Sequence, residues 1–258
     1  MKRFMIIATL LLVATTTIEA QVRIEKRSVG AGEIDYITKE FKGEGLNGII
    51  SSLPVVITLV EGEEGDIEVS YPIAEHRYIR CGIANNKFCV GRNGYDKSPK
   101  KSILNDRTPI YVTISASKIE QITNHSDMVL HIERDSFANE LIIGNGGTGL
   151  FVVAQSITAK DKILVISNGT TTFEVKEWNT TALDIVNNAY IHINGATTAK
   201  SIQQTNNDII DVTLKVDCRN ISIVDDGKGV VRYKGRADDL MVVSTGKTTI
   251  YTSELECE

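Results

Sequence analysis

From about residue 109 onward, apolar and polar residues alternate in short runs, and the runs come in pairs. Each pair is divided by a polar corner: Asn124-His125, Asn145-Gly146, Asn168-Gly169, Asn187-Asn188, Asn206-Asn207, Asp225-Asp226 and Thr245-Gly246. Successive corners lie 21, 23, 19, 19, 19 and 20 residues apart. Two residues before each corner stands Ile122, Ile143, Ile166, Ile185, Gln204, Ile223 or Val243. Four before stands Leu141, Leu164, Leu183, Ile202, Ile221 or Met241; the first copy carries Glu120 instead. A second alternating run follows each corner, as in Phe173-Glu174-Val175 and Ile191-His192-Ile193. A period of two predicts strands with one buried and one wet face. Helical spacing is sustained nowhere after residue 20, and no proline lies beyond Pro109 to remove a ladder donor.

Seven copies at a period near twenty predict a solenoid. One coil of that length cannot bury its own apolar face, whereas coils stacked at about 4.8 Å form parallel ladders around a shared interior. Asn, Asp and Gly at the corners suit left-handed backbone angles, and stacked Asn side chains can bond along the axis. Gln204 is the odd inward position: it either turns outward through a register change or needs a buried partner. Exposed strand edges at the two ends call for caps.

The N-terminal part reads differently. Residues 21–44 are polar and Gly-containing, a loose lead-in. Residues 45–108 carry Val55, Ile57 and Leu59, then Ile67 and Val69, broken by Glu63-Glu64-Gly65 and by a turn at Asn85-Asn86. They predict a strand-rich meander that caps the solenoid. Tyr95 to Arg107, with Lys97, Lys100 and Lys101 around Pro99, reads as an exposed loop. The expected organisation is a signal peptide (1–20), a lead-in (21–44), a cap (45–108) and a parallel β-helix (109–256).

Residues 41–256 resemble a bacterial domain of unknown function, the auto-transporter adhesin head GIN domain. The resemblance rests on Phe41 to Ile49, Val55-Val-Ile-Thr-Leu-Val60, Pro109-Ile-Tyr-Val-Thr-Ile114, Ile119-Glu-Gln-Ile122 and the seven-fold array. Corners in that family are richer in Gly-Ser-Gly, whereas this chain uses Asn and Asp. The resemblance implies an all-β, right-handed parallel β-helix, export and an adhesin-like role. It brings no catalytic residues.

Composition narrows the compartment. Lys2 and Arg3 precede an apolar run, Met5 to Ala14, that is too short to span a bilayer. Ala20 is the expected cleavage residue, with Ile18 at the position where a small residue is usual, and no cysteine follows to take a lipid anchor. Losing Lys2, Arg3 and Glu19 moves the formal charge from −5 to −6. An acidic surface of this kind argues against nucleic acid, and no later segment is apolar enough to be an integral membrane span. Export permits disulfides among Cys81, Cys89, Cys218 and Cys257. Cys81 and Cys89 flank the Asn85-Asn86 turn, so a bridge across that hairpin is the first expectation. Cys218 and Cys257 would sit two rungs apart, about 9.6 Å, beyond the roughly 7 Å a disulfide spans.

Candidate chemistry is thin. Gly144-Asn-Gly146-Gly-Thr-Gly149 matches a dinucleotide-loop pattern, but Leu150-Phe-Val-Val153 after it is strand-like, where such a site needs a helix. Gly246-Lys247-Thr248 lacks the earlier glycine of a phosphate loop; Met241 stands there. Asp225-Asp226 and Asp238-Asp239, with Arg232 and Arg236 between them, could serve as paired acids for glycan hydrolysis, but the first pair fills a corner and the second the polar stretch before a strand. His76, His125, His131 and His192 show no metal-ligand spacing. Trp178, the one tryptophan, lies in a polar corner one coil before Tyr190; the two form a weak candidate platform for a glycan, set against the favoured reading of a corner residue packed over the coil below. No cofactor or metal is expected. The sequence therefore predicts an exported, non-catalytic, adhesin-like binding module of the periplasm or cell surface, recognising a glycan or protein. The alternatives are a polysaccharide-active enzyme on a β-helix and a structural or assembly protein of the envelope.

Overall fold

A computed structural model describes residues 22–29, 32–93, 108–134 and 136–257. The expected signal segment and the basic loop at 95–107 lie outside the described residues. The strands, in chain order, are β1 (Val22–Val29), β2 (Gly32–Lys42), β3 (Gly48–Ser51), β4 (Val55–Leu59), β5 (Asp66–Pro72), β6 (Ile79–Ala84), β7 (Lys87–Arg92) and β8 (Ile110–Ser115). There follow β9 (Gln121–Asn124), β10 (Asp127–Ile132), β11 (Glu140–Asn145), β12 (Gly149–Thr158), β13 (Lys162–Ser167), β14 (Thr170–Asn179), β15 (Ala182–Asn187) and β16 (Tyr190–Thr198). The last four are β17 (Ser201–Asn206), β18 (Ile209–Asp225), β19 (Lys228–Ser244) and β20 (Lys247–Cys257). Among the described residues the one helical element is a single 3-10 turn, Ile73–Glu75, and no helix is long and apolar enough to cross a membrane.

The strands before the corners stack in parallel into a first sheet: β7, β3, β9, β11, β13, β15, β17, then the later parts of β18 and β19. Those after the corners stack into a second: β8, β4, β10, β12, β14, β16, β18, β19, β20. This is the parallel β-solenoid that the repeat predicts. A short third run closes each coil, as where Ile157 stacks on Trp178 and Trp178 on Thr197. The interior is made of columns. One runs Ile49, Ile122, Ile143, Val165, Ile185, Gln204, Ile223, Val242. Another runs Ile57, Leu130, Val152, Phe173, Ile193, Val212, Val231, Ile250.

Three expectations change. First, residues 45–59 form a rung rather than part of the cap: β3 and β4 lie between the β7/β8 rung and β9/β10, with Ser51 level with Asn124. Some sixty residues separate this copy from the next in sequence, so no fixed period reveals it. Second, residues 21–44 are not loose. β1 and β2 pair as an antiparallel hairpin, β2 pairs β5, and β5 pairs β8. These strands extend the second sheet beyond β8, as β6 extends the first beyond β7. Third, two corners are shifted by one residue. Ser167 and Ser244, not Asn168 and Thr245, align with Asn124, Asn145, Asn187, Asn206 and Asp225. Inward positions are therefore Ile163 and Val165, while Leu164 and Ile166 face out.

The corners are not left-handed. Among the described residues, Asn85 and Asn86 (φ 53° and 59°) are the non-glycine residues with positive φ. They make the two-residue turn of the β6–β7 hairpin. At the repeated corner, Asn is held by its side chain. Asn124 Oδ1 accepts from the Ser126 N–H at 3.0 Å, and Asn145 Oδ1 from the Gly147 N–H at 3.0 Å. The Nδ2 groups donate along the axis: Asn124 to Asn145 Oδ1 (2.8 Å), Asn187 to Asn206 Oδ1 (2.8 Å) and Asn206 to Asp225 Oδ1 (2.5 Å). Where Ser167 is too short to continue the ladder, buried Thr171 bridges it, bonding Ser167 Oγ at 2.8 Å and Asn145 Nδ2 at 3.1 Å. A second, exposed ladder runs beside it, from Asn207 Nδ2 to Asn188 Oδ1 and from Asn188 Nδ2 to Asn168 Oδ1, each 2.7 Å. Gln204 points inward, and its Oε1 accepts from the buried Tyr233 hydroxyl at 2.7 Å. Burial raises the pKa of that hydroxyl, so it remains a donor.

Candidate functional site: the outer face of the first sheet

The stacking that fixes the inward columns also builds three outward columns on the first sheet: Glu140, Lys162, Ala182, Ser201, Asn220 and Asp239 form the one farthest from the corners, leaving two beside them. One is Gln121, Ile142, Leu164, Asp184, Gln203, Ser222 and Met241; the other is Thr123, Gly144, Ile166, Val186, Thr205, Val224 and Val243. Of these fourteen positions only Asp184 is charged, and Lys162 Nζ pairs with it at 2.5 Å. Exposure rises toward the C-terminal end, where Val224 is 46%, Met241 55% and Val243 52% accessible. An outward aliphatic, Thr and Gln surface along the parallel stack is unusual for a wet sheet face, which normally alternates to charge.

The outer face of the second sheet is conventional. It carries Asp127, Glu174, Asp211, Lys228, Arg232 and Lys247. His192 Nδ1 lies 3.0 Å from Asp211 Oδ2, Arg232 lies 3.8 Å from the same carboxylate, and its guanidinium sits 5.3 Å from the Tyr251 ring centre. Tyr190 is half-buried on this face, level with Thr170 and Ile209.

The predicted platform is not formed. Trp178 is buried (1% accessible) in the third run, edge-on to Phe173 at 5.2 Å, so it offers no ring to a ligand and does not meet Tyr190 on the outside. Alternation decides this: Trp178 is level with inward Ile157 and Thr197. The predicted Cys81–Cys89 bridge is also absent. A two-residue turn at 85–86 places Cys81 opposite Val90 and Cys89 opposite Gly82, so the two thiols point to opposite faces of the hairpin. Burial pushes the Cys81 thiol up to about 12. Cys218 and Cys257 lie two rungs apart with Ala237 between them, and both are free.

The paired acids serve the corner. Asp225 is buried in the inner ladder, accepting from Asn206 Nδ2, Thr248 Oγ1 (2.6 Å) and Ser244 Oγ (2.9 Å), while Asp226 points out to Thr245. Burial acts to raise the Asp225 pKa, but the hydrogen bonds from Thr248, Asn206, Ser244 and the Gly227 N–H together hold it below the usual carboxylate range. A folded-state pKa below the unfolded value stabilises the fold above about pH 4, and that contribution is lost as pH falls through the depressed value. The thermal midpoint of wild type should therefore exceed that of Asp225→Asn at pH 7, and the gap should narrow below pH 4. A gap that stays constant from pH 7 to pH 3 would contradict this role.

Among the described residues no three His, Cys, Asp or Glu side chains gather as a metal site. One polar cleft of about 460 Å³ opens at the start of the first sheet, lined by Asn47, Lys87, Glu120, Gln121, Asn139, Glu140, Ile142 and Asp161. Lys87 Nζ donates to Gln121 Oε1 across it. The Gly144–Gly149 and Gly246–Thr248 segments are corners between strands, with no helix at either.

Fold and surface together define an N-terminally capped parallel β-solenoid with a charge-poor pair of columns on one outer face. Three crystal structures share this fold over most of both chains. A candidate adhesin of Bacteroides fragilis NCTC 9343 is 17% identical with a TM-score of 0.60, over 84% of this chain and 96% of that one. Candidate adhesins of Parabacteroides merdae ATCC 43184 (17%, 0.57, 84% and 95%) and Parabacteroides distasonis ATCC 8503 (14%, 0.53, 83% and 96%) match similarly. At such identities the likeness is one of fold. No protein-family model matches the chain, and no curated protein does. The adhesin-like part of the sequence resemblance agrees with these fold neighbours, whereas no family model supports the head GIN domain itself.

Proposed function

We propose that the chain is an exported, non-catalytic, adhesin-like module that docks onto a partner protein at the cell surface through the outer face of its first sheet. The observation that carries this reading is the pair of outward columns beside the corners, with one charge in fourteen positions; Glu140, Lys162 and Asp239 stand in the third column, at the margin of that face. Two outward aliphatic clusters, Ile142, Leu164, Ile166 and Val186 and then Val224, Met241 and Val243, separated by Asp184, Gln203, Thr205 and Ser222, suit a protein contact. A glycan is the weaker fit, because sugar binding favours exposed aromatic rings and these columns contain none. Shared architecture with candidate adhesins supports the same reading. Catalysis finds less support, since Asp225 is committed to the inner ladder.

The test is adhesion of protein-coated beads to bacterial cells and to a panel of purified surface and matrix proteins. Ile166→Lys with Val186→Lys should reduce capture at least about tenfold, as expected for charge placed in a contact core, without changing the far-ultraviolet circular dichroism. Capture that survives this change, or binding confined to a glycan array, would overturn the assignment of the face.

A further inference from the structure

The two ends of the solenoid are unlike. At the N-terminal end the parallel rungs are covered by antiparallel strands, β5, β2 and β1 on one sheet and β6 on the other. At the C-terminal end, among the described residues, β20 has a neighbour on one side only, β19. The inward columns stop there: Ile250 and Leu255 are only partly buried and Val242 is 41% accessible. An open edge above a truncated apolar interior is a template for another strand.

The charge on β20 indicates which strand. Lys247 lies at its start and Glu256 near its end, while Glu254 is held by Lys234 at 3.0 Å. Parallel alignment with a copy of itself sets like against like, whereas antiparallel alignment sets plus against minus twice. The opposite end of the molecule is a poorer complement. The charges of β1 are already paired locally, Arg23 and Arg27 with Glu25 at 2.5 and 3.9 Å and Lys26 with Glu33 at 3.6 Å. Head-to-tail stacking would also be open-ended, whereas a two-fold contact closes.

We propose that β20 pairs antiparallel with β20 of a second copy, forming a two-fold, end-to-end dimer. Register follows from the irregularity between Arg232 and Lys234, where Tyr251 and Glu254 take the opposing positions on β20 and the alternation reverses. Keeping apolar side chains on the interior side then places Ile250 beside Leu255 of the second copy. The same register sets Thr248 opposite Cys257 of the second copy and Lys247 diagonal to its Glu256. This surface is separate from the face assigned to adhesion, so either proposal can fail alone.

Sedimentation of the purified wild-type chain at low salt should give a dimer. Lys247→Glu should weaken association about tenfold, since two symmetry-related contacts become repulsive, and adding Glu256→Lys should restore it. Thr248→Cys should give a disulfide-linked dimer on non-reducing gels through Cys257, which is exposed. The two ends of one β20 are too far apart to crosslink within a chain. Circular dichroism and the melting midpoint establish that each variant is folded. A wild-type monomer at about 100 µM, open-ended polymers, or a dimer that neither crosslinks through residue 248 nor responds to residue 247 would each overturn the proposal.

Discussion

Trp178→Ala should lower the unfolding free energy by about 3–5 kcal/mol, the range for truncating a buried large aromatic. Trp178 is the largest fully buried side chain, stacked between Ile157 below and Thr197 above and edge-on to Phe173. Its Nε1 has no hydrogen-bond partner among the described residues. Trp178→Phe should therefore cost less than its lost area implies, because it also removes a buried, unsatisfied donor. Urea unfolding followed by circular dichroism measures both, since the variants lack the sole tryptophan. In wild type, Trp178 fluorescence should be shielded from acrylamide. A loss below about 1 kcal/mol for Trp178→Ala, outside the range for a buried aromatic, or ready quenching, would place the ring outside the core.

Asn206→Ala should cost about 2–4 kcal/mol, by the penalty for breaking a buried hydrogen-bond network. Its side chain joins two neighbours on the inner ladder, accepting from Asn187 Nδ2 and donating to Asp225 Oδ1. Alanine would leave buried Asp225 with the hydroxyls of Thr248 and Ser244 and the Gly227 N–H but without the Asn206 side-chain amide. Asn188→Ala is the matched control: it breaks the same two-bond pattern on the exposed ladder, to Asn168 and from Asn207. Water replaces those bonds, so the expected loss is under about 1 kcal/mol. Equal losses at the two positions would mean that burial of the inner ladder contributes nothing.

The inner ladder also explains why the corners favour Asn without left-handed backbone. The side-chain amide accepts from its own turn and donates one rung onward, so each buried polar group is satisfied by the next coil. Gly227 enters for a different reason. A Cβ there would lie 2.1 Å from the Asp208 carbonyl oxygen, so the tight stacking of corners excludes any side chain.

Much of the outer face proposed for docking was hidden by a slip of one residue. Ile163-Leu164-Val165-Ile166 and Leu240-Met241-Val242-Val243 are unbroken aliphatic runs, and either alternate set satisfies a period of two. Alignment on Asn168 and Thr245 puts Leu164, Ile166, Met241 and Val243 in the core. Stacking on neighbouring coils puts them outside, and the corner spacing then becomes a more even 21, 22, 20, 19, 19 and 19. An aliphatic outward column is invisible to any reading that assigns apolar residues to the interior.

The chain by itself determined the solenoid, its seven periodic coils and the inward corner Asn at most rungs, because these follow from a local period repeated along the sequence. It also determined the Asn85-Asn86 turn, since two adjacent turn formers between strands suffice for a hairpin. Only the tertiary structure decided which alternate aliphatics face inward, that β3 and β4 slot between later strands, and that Trp178 lies inside while Cys81 and Cys89 part. Each of these depends on a neighbour far away in sequence. Register between coils is set by packing and ladder bonds across the stack, and these are contacts that no single period records.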